Sequence, residues 1–307
     1  MNTDLMETNA ERLPVDEHNI PESFEVRFIP QSDWKLKELL AFYLGGVGTG
    51  LYVISQFMNF TAGLVIGFIL VVFGKNLAHL VSASRPTNAF RAFARPGTSW
   101  ISRGVYFIIA FTIFGALDIA SRAGWIEWGG TLGNLLSVLA FVSALLVMIY
   151  LGFLMAGARI IPLWHSPLIP AIFLSYSLAF GGALAAILYP ISGIEYSIAS
   201  ITKLLLLTIA STLFLILVHL MVMKYSNKAA KRSAELLIRG NLRKIFVGGV
   251  LIVGLVIPLI ITGLSQVAHS PTGAGTVIAG VLMLIGGFLF ESSFLKAAIY
   301  TPLIDVE

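Results

Sequence analysis

Long, nearly uncharged stretches alternate with short polar connections along this chain. Eight of them hold enough apolar residues to cross a bilayer, at about 36–57, 61–82, 101–121, 132–155, 168–189, 201–223, 245–265 and 275–296. A transmembrane helix needs roughly 20 such residues. Gly, Pro, Asn or Ser mark most of the breaks, and the connections near 60 and 130 are short. Hydrocarbon offers the backbone no hydrogen-bond partner, so segments of this kind cross as helices packed into a bundle. The pattern predicts an all-α integral membrane bundle of eight transmembrane helices, arranged as two four-helix bundles over 34–157 and 158–307. Residues 1–33 break the pattern, being polar and acidic with no long apolar run. They lack the basic-then-apolar order of a signal peptide and are expected to form an extended arm on the membrane surface or a disordered tail. The run Gly45-Gly46-Val47-Gly48-Thr49-Gly50 lies inside the first span with no strand before it. It therefore reads as a close helix-packing surface rather than a nucleotide-binding turn.

Composition agrees with this pattern. The chain is 57% hydrophobic and 12% charged, against about 25% charged in a soluble domain, and its mean hydropathy is +0.88. It contains no cysteine, which excludes disulfides, thiolate chemistry and cysteine-held zinc or iron–sulfur clusters from this chain. Any such cluster must belong to a partner. The formal charge of +4 sorts by side. Connections on the side of the N-terminus carry Arg85, Arg91, Arg95, Arg103 and Arg159, and the stretch 224–244 adds seven basic residues. The other side offers Arg122 and Lys203. Basic residues collect in cytoplasmic loops, so both termini are expected in the cytoplasm and the chain in the inner or plasma membrane. The basic excess serves topology, and no nucleic-acid partner is expected.

Three motifs in order carry a resemblance. "FYLGGVGTGLYV" (42–53), "SRPTNAFRAFARPGTSWISRG" (84–104) and "YLGFLMAGARIIPLWHSPLIPAIFLSYSLAFGG" (150–182) resemble the glycine-rich first span, the loop after span two and the span four–five segment of the polysulfide reductase NrfD-type membrane subunits. The resemblance implies a quinone-interacting anchor of a molybdenum and iron–sulfur respiratory complex. It implies a bound quinone (menaquinone or ubiquinone) and no haem, metal or iron–sulfur cluster in this chain. The partners implied are a four-cluster ferredoxin-like iron–sulfur subunit and a molybdopterin-type catalytic subunit, besides membrane lipid. In the family the quinone pocket draws on the start of span one, the loop after span two and a tyrosine late in span four. These match Glu38 and Ala41, the 84–104 loop, and Tyr150. Some members carry Asn and His at the start of span one; this chain has neither. Well-known relatives also place this face outside the cytoplasm, whereas the charge count here places it inside.

Quinol oxidation releases two protons and two electrons, so a site needs partners for two oxygens and an acceptor for protons. Tyr150 could donate to a quinone oxygen, or serve as an interfacial belt residue. Glu38, in the first turn of span one, could take a proton or simply complement the helix dipole. In "GKNLAHLVSASR", Lys75 and His79 stand four apart on one helical face, with Asn76 turned away by about 100°. A lysine in the hydrocarbon costs roughly 2.5–3.5 kcal/mol near its centre, so Lys75 should face the bundle or snorkel to the surface. His79 could receive a proton or be held structurally by a neighbouring span, and Arg85 could steady a quinone oxygen or act only as positive-inside charge. Asp118 and Glu291 are candidates for a proton path, with a simple i,i+4 pair to Arg122 as the alternative for Asp118. His79 and His219 also raise a bis-histidine haem, against which the resemblance stands. Two other functional classes fit the pattern: a multi-span transporter or channel, for which no internal repeat is evident, and a purely structural anchor for a peripheral enzyme.

Overall fold

A computed structural model describes residues 28–82, 86–192, 197–268 and 273–301. The proposed arm up to residue 27, and Arg85, lie outside the described residues. Eight helices are long and apolar enough to cross a membrane: Leu36–Phe57, Thr61–Val81, Trp100–Arg122, Gly130–Ala156, Leu168–Pro190, Ile198–Lys224, Lys244–Val267 and Gly273–Lys296. These are spans one to eight. Among the described residues there is no strand beyond a single bridge, so the fold is the all-α membrane bundle expected.

Two features depart from plain α-helix. Span two passes through a π-helical segment at Leu70–Lys75, and span seven begins as one at Lys244–Val256. Each inserts residues that apolar periodicity cannot reveal, because both flanks of the insertion are equally greasy. Between spans six and seven lies a shorter amphipathic helix, Lys228–Ile238, started by Asn227, whose Oδ1 accepts the Ala230 N–H at 2.9 Å.

Spans one and five pack together at the centre, and glycine is the reason they can. A Cβ on Gly50 would stand 2.7 Å from the carbonyl carbon of Ser177, and one on Gly181 would stand 2.7 Å from the Leu51 nitrogen. The two backbones touch, as small residues permit in lipid, where no hydrophobic effect drives helices together. On the face where the chain enters span one, the segment before that span is clasped to the segment after span eight. Gln31 N–H donates to Ala298 O and Tyr300 N–H to Ile29 O, both at 2.9 Å, around an antiparallel bridge of Pro30 with Ile299. Trp34 then stacks on Trp164 at 5.0 Å, which fixes the entry into span one against the connection before span five.

Candidate functional site

Spans one, two, four, five and eight converge on a small cavity with mostly apolar walls and a few polar groups. Phe42, Lys75, Tyr150, Tyr176, Ser177 and Glu291 are among its walls. The space open to the centre of a water is about 10 Å³, room for about one water molecule. Its chemistry is unusual for a membrane interior. Lys75 is 2% exposed and Glu291 5% exposed, and Lys75 Nζ, Glu291 Oε2 and Tyr176 OH have no hydrogen-bond partner among the described residues. Buried polar atoms nearly always find partners, so three orphans around one space make it the candidate site.

Each side chain is placed by its helix. Lys75 closes the π-helical segment of span two, the kind of irregularity that often marks functional positions. Its stem fits because Gly45 on span one has no side chain: a Cβ there would stand 2.9 Å from Lys75 Cδ. The ammonium lies 5.2 Å from the centroid of the Tyr150 ring, a cation–π contact in a low dielectric. Tyr150 in turn occupies the space that Gly104 of span three leaves open. Tyr176 stacks on Phe290 at 4.6 Å, one residue before Glu291, so spans five and eight present the phenol and the carboxyl together.

The other expected site residues fall around this centre. His79 packs on Phe42 with ring centroids 6.0 Å apart, behind the cavity wall. Asn76 turns back to its own helix and donates to Val72 O at 3.0 Å. The Glu38 carboxylate accepts the Lys35 backbone N–H at 2.8 Å at the start of span one, which is a helix-capping role. Asp118 is buried near the opposite face, where it accepts from Tyr52 OH at 2.8 Å, Gln56 Nε2 at 2.9 Å and Arg122 Nε at 3.0 Å. Arg122 reaches on to Asn59 and Ser137, so this network ties spans one, three and four to the connection after span one. His219 Nε2 meets Leu163 O at 3.1 Å, and among the described residues no three His, Asp or Glu gather as a metal site.

Sequence reasoning missed Tyr176 and Ser177. The signal was present, since "FLSYSLAF" puts three hydroxyls inside an apolar span, where each must face protein. In the loop after span two, Arg103 donates to Pro96 O at 2.8 Å and Gly97 O at 2.6 Å and lies over the Trp100 ring; it holds the loop's shape. Arg91 and Arg95 are exposed.

The chain is similar to known proteins over most of its length. The family model described as "Polysulphide reductase, NrfD" matches residues 30–302. A subunit of the sulfite dehydrogenase of Allochromatium vinosum is 31% identical over 162 residues, 47% of this chain and 49% of that protein. The chain thus spans about half the length of the curated relative it matches.

Proposed function

The chain belongs to the polysulphide reductase NrfD family, and on that premise we propose that it is the quinone-reactive membrane subunit of a multisubunit respiratory oxidoreductase. It exchanges electrons between menaquinone or ubiquinone and a four-cluster ferredoxin-like iron–sulfur subunit, which serves a molybdopterin-type catalytic subunit. The observation that carries this reading is Lys75 Nζ, buried without a hydrogen-bond partner and lying over the ring of Tyr150, the tyrosine that the resemblance marks. The substrate belongs to the catalytic partner, and the relative's name puts sulfite among the candidates.

The cavity's donors suit a quinone. Lys75 Nζ and the hydroxyls of Tyr150 and Tyr176 can donate to its oxygens, and the Glu291 carboxyl can hold a proton. Its volume is that of a water, so a head group enters only as wall side chains such as Phe42 move. A bound quinone supplies two-electron, two-proton chemistry. The protein's part is to present donors in a dry site, where a fixed hydrogen bond is worth more than in water. Glu291 then serves as the proton acceptor, and His79, behind Phe42, as a group that could pass a proton toward the nearer face. Glu38 and Asn76 lie toward that face, and Arg85, outside the described residues, is kept as a candidate partner for a quinone oxygen. Asp118 stands at the far end of a path that would cross the bundle.

Partner subunits dock on the face that carries the basic connections, with the exposed Arg91 and Arg95 available to acidic groups. By charge, that face and both termini are cytoplasmic. The test is quinol turnover by the assembled complex. Tyr150→Phe removes one hydrogen bond to the quinone, and turnover falls about tenfold while the subunits stay in their normal ratio. Unchanged turnover in both Tyr150→Phe and Lys75→Met would leave a purely structural anchor.

A further inference from the structure

A second site lies away from the cavity, in a groove between span six, span seven and the short helix Lys228–Ile238. That helix turns Ala230, Ser233, Ala234 and Leu237 inward and keeps Lys228, Lys231, Arg232 and Glu235 exposed. Its apolar face therefore packs on the protein core at the end of span six, and its polar face is left outside. The groove beside it has a volume of about 680 Å³, within the size of pockets that hold small amphipathic ligands. Its floor is apolar, with Leu217, Met221, Val247 and Leu251. Leu217 and Met221 are 49% and 64% exposed, and both sit on a membrane-spanning helix, so the groove opens sideways into lipid.

The mouth is basic. Lys224, Lys231 and Arg239 line it with one acid, Glu235. Glu235 stands four residues from both Lys231 and Arg239, a spacing that favours i,i+4 ion pairs. Yet the ion pair found among the described residues is Arg122 with Asp118; Glu235 offsets one of the three charges at the groove, and the mouth keeps a net positive charge. An apolar trough running into the bilayer, closed at the head-group level by cations, matches one kind of molecule. A water-soluble acidic peptide would have to push into hydrocarbon to fill the floor, and a free anion would leave the floor empty.

We propose that this groove is a binding site for an anionic phospholipid, its phosphate held by Lys224, Lys231 and Arg239 and an acyl chain laid along Leu217, Met221 and Leu251. Basic pockets at the ends of membrane helices recognise such head groups through charge. The full chain, reconstituted in an equal mixture of phosphatidylglycerol and phosphatidylcholine, should retain phosphatidylglycerol preferentially when extracted and weighed intact by native mass spectrometry. The preference should fall about fivefold for each cation removed in Lys231→Gln and Arg239→Gln, and stay unchanged in Lys203→Gln on the opposite face. Met221→Trp, which fills the floor, should lower retention of both lipids. Retention in the ratio of the mixture, or the same preference in the double variant, would overturn the proposal. So would inorganic phosphate raising the thermal midpoint as much as the lipid does, which would assign the cations to a free anion. Loss of a partner subunit in the double variant with lipid preference unchanged would assign them to protein docking instead.

Discussion

Lys75 and Asp118 are both buried ionisable groups in a lipid-embedded bundle, and they should answer substitution in opposite ways. Lys75 has no ion-pair or hydrogen-bond partner among the described residues. An unpartnered buried polar group weakens a fold, so Lys75→Met should leave the thermal midpoint of the purified protein equal or higher. Quinol turnover should nevertheless fall by at least about tenfold; lowered stability with normal turnover would make the lysine structural. Asp118 is instead saturated by Tyr52, Gln56 and Arg122. Asp118→Asn removes the charge that Arg122 pairs with and should cost about 1–3 kcal/mol, read as a lower thermal midpoint; turnover per intact complex that stays unchanged would take Asp118 off the proton path and leave it a structural group. This contrast was only half legible beforehand. The spacing of Asp118 and Arg122 announced their pair, and an intramembrane lysine announces a role. That Glu291, on the last span, comes to the same cavity as Lys75 could not be read, because no local spacing links spans two and eight.

The helices themselves follow from apolar length, which is why all eight spans lie within about three residues of their expected ends. What that length does not show is how closely helices approach. Glycines decide this, and they differ in what they permit. Gly50 and Gly181 let the backbones of spans one and five touch, so Gly50→Ala should reduce the yield of folded protein sharply, as size-exclusion profiles would show. Gly104 only makes room for the Tyr150 ring. Gly104→Ala should therefore insert and assemble while turnover falls, and Gly97→Ala, where a Cβ would meet nothing within 4 Å, should alter neither. The π-helical turns escaped notice for a physical reason: in a run where every residue is apolar, an extra residue per turn changes no pattern.

At the scale of the whole molecule, the asymmetry of basic residues sets an orientation that can be read chemically. The chain has no cysteine, so a single introduced thiol reports its own side. Arg232→Cys, on the exposed face of the short helix, should react with an impermeant maleimide only after the membrane of intact cells is opened. Glu127→Cys, exposed on the other side, should react at once. The reverse pattern would move the partner-binding face outside. The clasp has a bearing on the molecule's history. Residues 29–31 leave the ribosome long before residues 298–300, with which they pair. A nascent chain cannot pair residues 29–31 until span eight has been made, and one that stops before it never forms the bridge. Any factor that recognises this joined corner would thereby bind chains in which span eight has been made and seated, and pass over those that stop before it.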